Sequence, residues 1–435
     1  MNLPNEIIFK ILSLLPDNYK LRTVNKQFKY IIDNIATYYN NKFNIITKNW
    51  KKNIKKLIPH LIEKNDIDSI IYLSTNFTFN KTEQYEINFY AGVYNNTELI
   101  NSNLADSYQT ILNGAAYAGN LDLIEKYKDR IYSLECLESY AAKGGKKNIL
   151  KYINKHDIIN SNIIICSAAE GGHLDIILEY MNYIDNANIL LYDMIALSAA
   201  KYGHLHIIKW AYERGATDNV MFEITILAAE NGFLDIILWG VDNGIHIYNR
   251  IASISSSNGH LNIVKWLIDD IHYDDYENIA FNAAENGHLD IIKYVMNYSK
   301  NIINLVANVA ASKGYFDVIQ YALENNADDF IGIAMGLVIN GEIYIIDYIF
   351  KLIPSIIKDI ALFAASLGKL NIVKYAIDNG TVNIFEIARE SAKNGCLNVF
   401  KHLIKKKSAD LERLKDCAKL YCQYNIIEYI DSLSA

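Results

Sequence analysis

The stretch that decides the fold runs from Ala283 to Tyr294 and reads Ala-Ala-Glu-Asn-Gly-His-Leu-Asp-Ile-Ile-Lys-Tyr. Related stretches recur along the chain, each with a glycine at the same place, at intervals of 26 to 31 residues. A recurrence with a fixed period of about 20 to 50 residues indicates a repeat architecture, in which each unit is one supersecondary element. The repeat glycines are Gly119, Gly145, Gly172, Gly203, Gly232, Gly259, Gly287, Gly314, Gly341, Gly368 and Gly395.

Each position of the repeated unit has a physical role. The two alanines let a short first helix approach its neighbours closely, and the glycine ends that helix with a positive φ. A second helix is predicted to begin about two residues later, with Asp290 in its first turn near the positive end of the helix dipole. Apolar residues follow at helical spacing and predict a buried stripe. In the best copy these are Leu289, Ile292, Val295 and Met296.

One helix-turn-helix of this size cannot bury its apolar faces alone, so neighbouring units must stack into a continuous core. The sequence therefore predicts an all-α fold, an α-solenoid of about 12–14 helix-turn-helix repeats of about 27 residues each. Cys422 stands where the next glycine would be, 27 residues after Gly395, and indicates a degenerate C-terminal cap. Asn65 and Asn95 mark two weaker copies upstream.

The repeated motif resembles the core of an ankyrin repeat, and the resemblance covers roughly residues 57–435. The family's Thr-Pro-Leu-His start is absent, with Ile279-Ala280-Phe281-Asn282 at that place in the best copy. The period of about 27 residues is shorter than the usual value of about 33, so the family's β-hairpin fingers are expected to be reduced to short loops. Ankyrin arrays that have this short period and are rich in Ile, Asn and Tyr resemble those of the large DNA viruses of amoebae, of the mimivirus type.

The first 40 residues follow a different pattern. A proline near the start, a carboxylate in the first turn and helically spaced apolar residues predict an amphipathic helix, followed by a second helix from about Tyr19. This segment resembles an F-box, and the resemblance implies docking on the Skp1 protein of cullin-based ubiquitin ligases. Lys26 also fits the motif. The residues that the resemblance assigns to Skp1 binding are Leu3, Pro4, Glu6, Ile7, Ile11, Leu12, Leu15, Pro16, Val24 and Phe28.

Charge also separates the start of the chain from the rest. Residues 1–64 hold 12 Lys and Arg against 4 Asp and Glu, whereas the whole chain carries a net charge of −7. The basic residues are interpreted as a solvated helix face and linker, and steering toward an acidic partner is the alternative. We predict three regions: an F-box-like helical motif over 1–40, a basic linker helix with degenerate repeats over 41–105, and the ankyrin-like solenoid with its cap over 106–435.

Composition excludes several classes of protein. With 51% hydrophobic and 21% charged residues, the chain is not disordered. Five scattered cysteines and the absence of a secretory signal indicate a reducing compartment, so we expect the cytoplasm, or the host cytoplasm if the protein is viral. No run of 18 apolar residues predicts a membrane span, and no zinc-finger or RNP pattern predicts nucleic-acid binding. A monomer without membrane or nucleic-acid partners is expected.

Motifs for catalysis are absent from the sequence. No phosphate-binding or dinucleotide-binding glycine pattern occurs in a suitable context. The histidines that follow repeat glycines, such as His173, His260 and His288, are interpreted as structural turn residues. His204-Leu205-His206 is the one alternative that would bind a metal. We therefore expect no enzyme, no catalytic residue, no metal site and no cofactor.

Tyrosines recur with the same period near the end of the second helix. Because their positions are fixed within the unit, they are expected to pack in the core or groove. These tyrosines are Tyr127, Tyr152, Tyr180, Tyr294, Tyr321, Tyr348, Tyr375 and Tyr429.

The resemblance to ankyrin repeats implies a binding face. First helices and turns would line a concave surface, and the residues just before each glycine would point into it. These residues vary against a constant frame, as a recognition surface requires; the alternative is that each is merely solvated. The candidate residues of this face are Tyr117, Lys143, Glu170, Lys201, Tyr202, Glu230, Glu285, Lys313, Leu367 and Lys393.

Two functions are compatible with these patterns, and both are protein–protein interaction modules. In the first, the chain is a substrate adaptor that holds a Skp1-like protein at its N-terminus and an unidentified target protein in the repeat groove. In the second, it is a stand-alone scaffold or a factor that sequesters host proteins, and its N-terminal helices are only a structural cap.

Overall fold

A computed structural model describes most of the chain from residue 61 onward. The F-box-like motif, residues 41–60 of the basic linker and Asn65 lie outside the described residues. Within the described part all regular secondary structure is helical, and no strand occurs there. The described ranges are 61–63, 70, 79–102, 104–155, 160–184, 189–341, 343–380, 382–406 and 411–434.

The helices of the described part form thirteen consecutive helix-turn-helix pairs. The first helices are α1 (Lys81–Val93), α3 (Tyr108–Ala118), α5 (Leu134–Lys143), α7 (Ser161–Gly171), α9 (Ile189–Ala200), α11 (Asp218–Asn231), α13 (Tyr248–Ser257), α15 (Tyr276–Asn286), α17 (Ile303–Lys313), α19 (Phe330–Asn340), α21 (Ile357–Ser366), α23 (Ile384–Lys393) and α25 (Leu411–Leu420). The second helices are α2 (Thr97–Ile100), α4 (Leu121–Lys126), α6 (Lys147–Asn154), α8 (Leu174–Met181), α10 (Leu205–Tyr212), α12 (Leu234–Asp242), α14 (Leu261–Asp269), α16 (Leu289–Val295), α18 (Phe316–Glu324), α20 (Ile343–Leu352), α22 (Leu370–Asn379), α24 (Leu397–Lys406) and α26 (Tyr424–Ser434). Short 3₁₀ turns occur at Lys128–Arg130 and Pro354–Ile356.

The described residues fall into two compact units, with the boundary between residues 220 and 221. In the first unit, α1, α3, α5, α7 and α9 pack side by side in chain order. In the second unit, the first helices from α13 to α25 do the same. This side-by-side stacking of hairpins is the arrangement of an α-solenoid, which confirms the fold class predicted from the repeats.

The turn glycines have the positive φ that the repeat predicted. At Gly287, φ is 78°, and the following residue, His288, donates its backbone N–H to the Ala283 carbonyl at 2.9 Å. This hydrogen bond closes the end of α15 in the manner of a Schellman motif. A Cβ atom at residue 287 would also lie 2.4 Å from the Tyr315 ring of the next repeat. The position therefore requires glycine for its backbone conformation and for the close approach of its neighbour.

Two other residues take the left-handed conformation at the equivalent turn. Asn95 has φ 50° between α1 and α2, and Cys422 has φ 54° between α25 and α26. The turn is thus retained at both ends of the described array even where glycine is absent. Left-handed backbone is unfavourable for a residue with a Cβ, although Asn tolerates it better than most.

The core is built from the alanine pairs and from the inner side of the second helices. Ala283 and Ala284 have no exposed surface, and neither do Ile291, Ile292 and Val295 of α16. The predicted stripe was wrong in one member, because Leu289 is only half-buried and Ile291 is buried instead. As the first residue of α16, Leu289 directs its side chain back toward the turn rather than into the core.

Candidate partner-binding face

The ten candidate residues occupy equivalent places in their repeats, one or two residues before a turn glycine. They lie in the last turn of a first helix or directly after it, and most retain substantial exposure. We call the exposed side of the first helices, which these residues share, the first-helix face. Stacking places the same position of successive repeats side by side within each unit, because the first helices pack in order.

In the first unit, three candidate residues from consecutive hairpins contact one another. Lys143 Nζ donates to the Glu170 carboxylate at 2.9 Å and to the Tyr202 hydroxyl at 2.8 Å, and lies 3.9 Å from the centre of the Tyr202 ring. Burial lowers the pKa of Lys143, but its hydrogen bonds to Tyr202 and Glu170 outweigh burial and raise that pKa above its usual value. The stacked repeats thus hold a charged group in a defined place on the face.

An aromatic cluster lies on the same face toward the start of the described array. The Phe89 ring is 5.8 Å from Tyr117, 5.4 Å from Tyr140 and 6.0 Å from Tyr85. The hydroxyls of Tyr85 and Tyr140 are hydrogen-bonded, and burial is the largest cause that raises the pKa of Tyr85. Tyr85 and Tyr117 remain 39% and 38% exposed, so a partner reaches these rings.

Of this cluster, only Tyr117 was predicted from the sequence as part of the binding face. Tyr85 and Phe89 are spaced by four residues in α1, which places them on one side of that helix. Tyr140 stands five residues before Gly145, outside the two positions that the analysis considered. A search of the first helices for aromatic residues four positions apart would have found Tyr85 and Phe89.

Between α13 and α15 of the second unit, hydroxyl and amide groups form the contacts between neighbouring first helices. Ser253 Oγ donates to Asn278 Oδ1 at 3.0 Å, and Ser257 Oγ donates to Asn282 Oδ1 at 3.1 Å. These four side chains offer polar atoms in fixed positions, beside the exposed ring of Phe281 on α15.

The remaining candidate residues of the second unit have separate environments. Lys313 Nζ pairs with the Glu285 carboxylate at 2.9 Å across consecutive hairpins. Lys393 Nζ lies 3.5 Å from Glu390 and 5.4 Å from the centre of the Tyr421 ring. Leu367 is 46% exposed. The structure therefore joins Lys313 to Glu285, but it brings neither Leu367 nor Lys393 into contact with another candidate.

An open groove lies between the last turns of α11 and α13. Its volume is about 450 Å³, and it is the place where the candidate residue Glu230 meets the polar side chains of the next repeat. The residues that line it are Glu230, Asn231, Ser253, Ile254, Ser257 and Asn258.

The histidines after the turn glycines bind backbone carbonyl groups of the preceding repeat. The Nε2 atom lies 3.0 Å from the Glu170 carbonyl in His204, 2.7 Å from the Glu230 carbonyl in His260 and 2.9 Å from the Ser257 carbonyl in His288. These contacts confirm their interpretation as structural turn residues.

His204 and His206, the alternative metal site, have no third ligand beside them among the described residues. The His206 ring also contacts a carbonyl group, that of Gly172, at 3.3 Å. Burial is the largest cause that lowers the pKa of His204. Among the residues that the structure describes, no group of three or more His, Cys, Asp and Glu is placed to hold a metal ion.

The recurring tyrosines were predicted to pack in the core or groove, and only Tyr180 lies in the core. The other seven are half-buried on the second helices or directly after them. Tyr294 donates its hydroxyl to Asp269 at 2.6 Å, and Tyr375 donates to Asp347 at 2.8 Å, each across two consecutive second helices. A phenol reaches the surface with its polar end while its ring packs, which explains this placement.

None of the helices in the described ranges has the length and apolar character needed to cross a membrane. The cysteines of the array, Cys136, Cys166, Cys396, Cys417 and Cys422, are all free thiols.

Comparison with known proteins detects ankyrin repeats in part of the chain. Residues 251–331, which span the groove helix α13 and the hairpins after it, match the family model described as Ankyrin repeats (3 copies). Ankyrin repeats imply a protein–protein interaction module. No curated protein matches the chain.

Solved structures include a similar chain in the crystal structure of the pentatricopeptide repeat protein PPR10 from maize. It is 10% identical, and the match covers 98% of this chain and 72% of that chain with a TM-score of 0.29. A likeness of this size carries no argument about function.

Proposed function

We propose that the chain is a non-enzymatic scaffold that holds a partner protein on its first-helix face. The observation that supports this most is a constant frame of turns and buried alanines that carries variable exposed side chains. In a repeat protein such a surface is extended, and each hairpin adds one set of contacts to it.

The aromatic cluster is the part of the face best suited to supply binding energy. Tyrosine is enriched among the residues that dominate protein interfaces, since it buries a large ring and keeps a hydroxyl for hydrogen bonding. Tyr85 and Tyr117 each present about two fifths of their surface, and Phe89 and Tyr140 hold them in place. Side chains that are already ordered lose little entropy when a partner binds.

A capture experiment with matched variants tests this proposal. The full chain and its Tyr85→Ser/Tyr117→Ser variant would be used to capture proteins from a eukaryotic lysate, with quantification by mass spectrometry. Tyr183→Ser/Tyr424→Ser is the control, because these tyrosines are 62% and 69% exposed after or within second helices. We expect partners that the face variant loses at least fivefold and that the control retains. Equal capture by all three chains would contradict the proposal.

A more specific function, that of a substrate adaptor, is supported only by the sequence of residues 1–40. We propose that this F-box-like segment holds a Skp1-like protein, so that the repeats present the captured protein for ubiquitin transfer in the cytoplasm. The chain would act as a monomer, without a membrane or nucleic-acid partner. In the alternative form, the same residues cap the array, and the chain is a scaffold or a factor that sequesters host proteins.

The two forms differ in what Leu3→Ala/Pro4→Ala would change in the full chain. The adaptor form predicts loss of Skp1 from the captured proteins at an unchanged melting temperature. The cap form predicts a lower melting temperature with no Skp1 in either sample. Undiminished capture of Skp1 by the variant would contradict the assignment of these two residues.

A further inference from the structure

The groove between α11 and α13 is rich in hydrogen-bond acceptors. Asn231 Nδ2 donates to the Leu227 carbonyl at 2.8 Å, and Asn258 Nδ2 donates to the Ile254 carbonyl at 2.9 Å. Each amide group is thus bound to the backbone of its own helix through its donor. This bond uses one of the two N–H groups of each amide and leaves the carbonyl oxygen with its lone pairs as an acceptor for a ligand.

The serine hydroxyls of the groove also donate their protons in hydrogen bonds within the protein. Ser257 Oγ donates to Asn282 Oδ1 at 3.1 Å, and Ser253 Oγ lies within donating distance of Asn278 Oδ1 and the Asn249 carbonyl. A hydroxyl has one proton and two lone pairs, so a bound ligand meets these oxygens as acceptors. Glu230 adds an exposed carboxylate on the same lining.

The electrostatic potential of this region favours a cation. Residues 221–300 contain 11 Asp and Glu against 4 Lys and Arg. The groove also lies at the C-terminal ends of α11 and α13, where the helix dipoles place partial negative charge. A positively charged partner is therefore steered to this part of the chain.

The cations of the neighbouring elements have other contacts. Arg250 lies over the Phe222 ring at 5.2 Å, and Lys313 pairs with Glu285. Lys265 and Lys293 belong to second helices, where they lie near the rings of tyrosines on the next hairpin. None of these four residues lines the groove.

We propose that this groove binds an extended basic segment of the partner, with an arginine or lysine side chain between the Glu230 carboxylate and the amide oxygens of Asn231 and Asn258. A guanidinium group has five N–H donors and no acceptor, so it complements a lining that presents acceptors. This inference rests on the proposed function, because it names the chemistry of the partner that the first-helix face holds.

The turn after α15, two hairpins further along the array, repeats the pattern of the turn after α11 and predicts the spacing of the basic residues. Glu285 and Asn286 precede Gly287 as Glu230 and Asn231 precede Gly232, and Asn286 Nδ2 donates to the Asn282 carbonyl at 3.0 Å. Packed helices are about 8–10 Å apart, and an extended chain advances about 3.3 Å per residue. The two turns are two helices apart, so basic side chains about six residues apart would reach both, as every second arginine does in a peptide with arginine at every third position.

Fluorescence anisotropy with the full chain tests the inference. The probe is a fluorescein-labelled peptide with the sequence Arg-Ser-Ser repeated four times. The comparison peptide has the same composition, but its four arginines are adjacent. Glu230→Gln removes the charge in the groove, and Glu324→Gln removes an exposed charge from the second helix α18. We expect Glu230→Gln to weaken binding of the spaced peptide about threefold to tenfold, and Glu324→Gln to leave it unchanged.

Three results would overturn the inference: no binding of the spaced peptide, equal weakening by both variants, or tighter binding of the comparison peptide. Both substitutions are at exposed positions, so loss of folding does not complicate the comparison. If the chain captures a protein through Tyr85 and Tyr117 but does not bind the spaced peptide, the basic-segment inference fails alone. If the chain captures no protein through its face, the proposed function fails.

Discussion

The first-helix face of the first unit differs in kind from that of α13 and α15 in the second unit. In the first unit, aromatic rings and the Lys143–Glu170 pair occupy the exposed positions. In α13 and α15, Ser253 and Ser257 bond to Asn278 and Asn282 at those positions. Both faces stand on the same left-handed turns and on pairs of small buried residues, which are Ala115 and Ala116 in α3 and Ser255 and Ser256 in α13.

This difference shows that frame and face are under separate physical constraints. The frame requires glycine, alanine and buried isoleucine at fixed positions, because backbone conformation and close packing tolerate few alternatives. The face requires only that a side chain fit beside its neighbours in the next repeat. Substitutions in the frame should therefore lower the free energy of unfolding by the same amount in both units. Substitutions in the face should lower it by different amounts in the two units.

The largest effect is expected from the turn glycines. Gly172→Ala and Gly287→Ala each force a Cβ into a left-handed turn and to within 2.7 Å and 2.4 Å of a ring on the next repeat. Each should lower the free energy of unfolding by about 2–4 kcal/mol, measured by urea denaturation. Gly341→Ala is the control, because φ is 86° there and no atom approaches within 4 Å. Gly341→Ala should lower the free energy of unfolding by about 1–2 kcal/mol. An equal decrease in all three variants would show that the ring of the next repeat contributes nothing to the effect.

Truncating one central side chain of each face to alanine compares how much the two faces contribute to stability. Phe89→Ala removes ring contacts with Tyr85, Tyr117 and Tyr140, and should cost about 2 kcal/mol. Asn278→Ala removes hydrogen bonds at a half-exposed site and should cost about 1 kcal/mol. Urea denaturation of both variants measures the two losses. A larger loss for Asn278→Ala would reverse the expected order.

The ends of the array offer a substitution that should stabilise the protein. Cys422→Gly relieves a left-handed conformation at a residue with a Cβ, and should raise the free energy of unfolding by about 1 kcal/mol. Asn95→Gly should raise the free energy of unfolding by less, because Asn tolerates the left-handed conformation. Thermal melting of the two variants distinguishes them. A lower melting temperature for Cys422→Gly would mean that the thiol side chain itself stabilises the last turn.

The smallest effect is expected from the charged group on the first unit's face. Lys143→Met keeps the apolar stem but removes the contacts with Glu170 and Tyr202, and should cost about 0.5–1 kcal/mol at neutral pH. The pKa of Lys143 is raised in the folded state, so its contribution is complete below the unfolded pKa of about 10.4. The contribution is then lost as the pH rises through the higher, folded pKa.

Denaturation at neutral and at alkaline pH measures this dependence. Lys209→Met on α10 is the control, because Lys209 is exposed on a second helix. It should have almost no effect at either pH. A cost of Lys143→Met that stays constant through the titration of lysine would show that lost packing, and not charge, causes it.

The sequence analysis found the frame because the frame is local. The positive φ at Gly287 and the start of α16 two residues later follow from residue types within one turn. The histidines were also interpreted correctly, as their position after the glycine indicates a turn. Leu289 was misplaced although the start of α16 was predicted, because helical spacing ignores that the side chain of a first helical residue covers the preceding turn.

The candidate face was only partly accessible from the sequence. Tyr117 and Lys143 were selected by their position before the glycine, but Tyr85, Phe89 and Tyr140 were not. The acceptor pattern of the groove was also invisible, because the direction of the Asn231 amide depends on its bond to the Leu227 carbonyl.

By itself the sequence determined the period, the helix pairs, the turns and the buried small residues, because spacing and backbone preference encode them within about 27 residues. Only the tertiary structure decided which exposed side chains meet. Tyr85 and Tyr140 are 55 residues apart, and Lys143 and Tyr202 are 59 apart. Stacking brings together side chains of different repeats, and no local pattern specifies which of them meet.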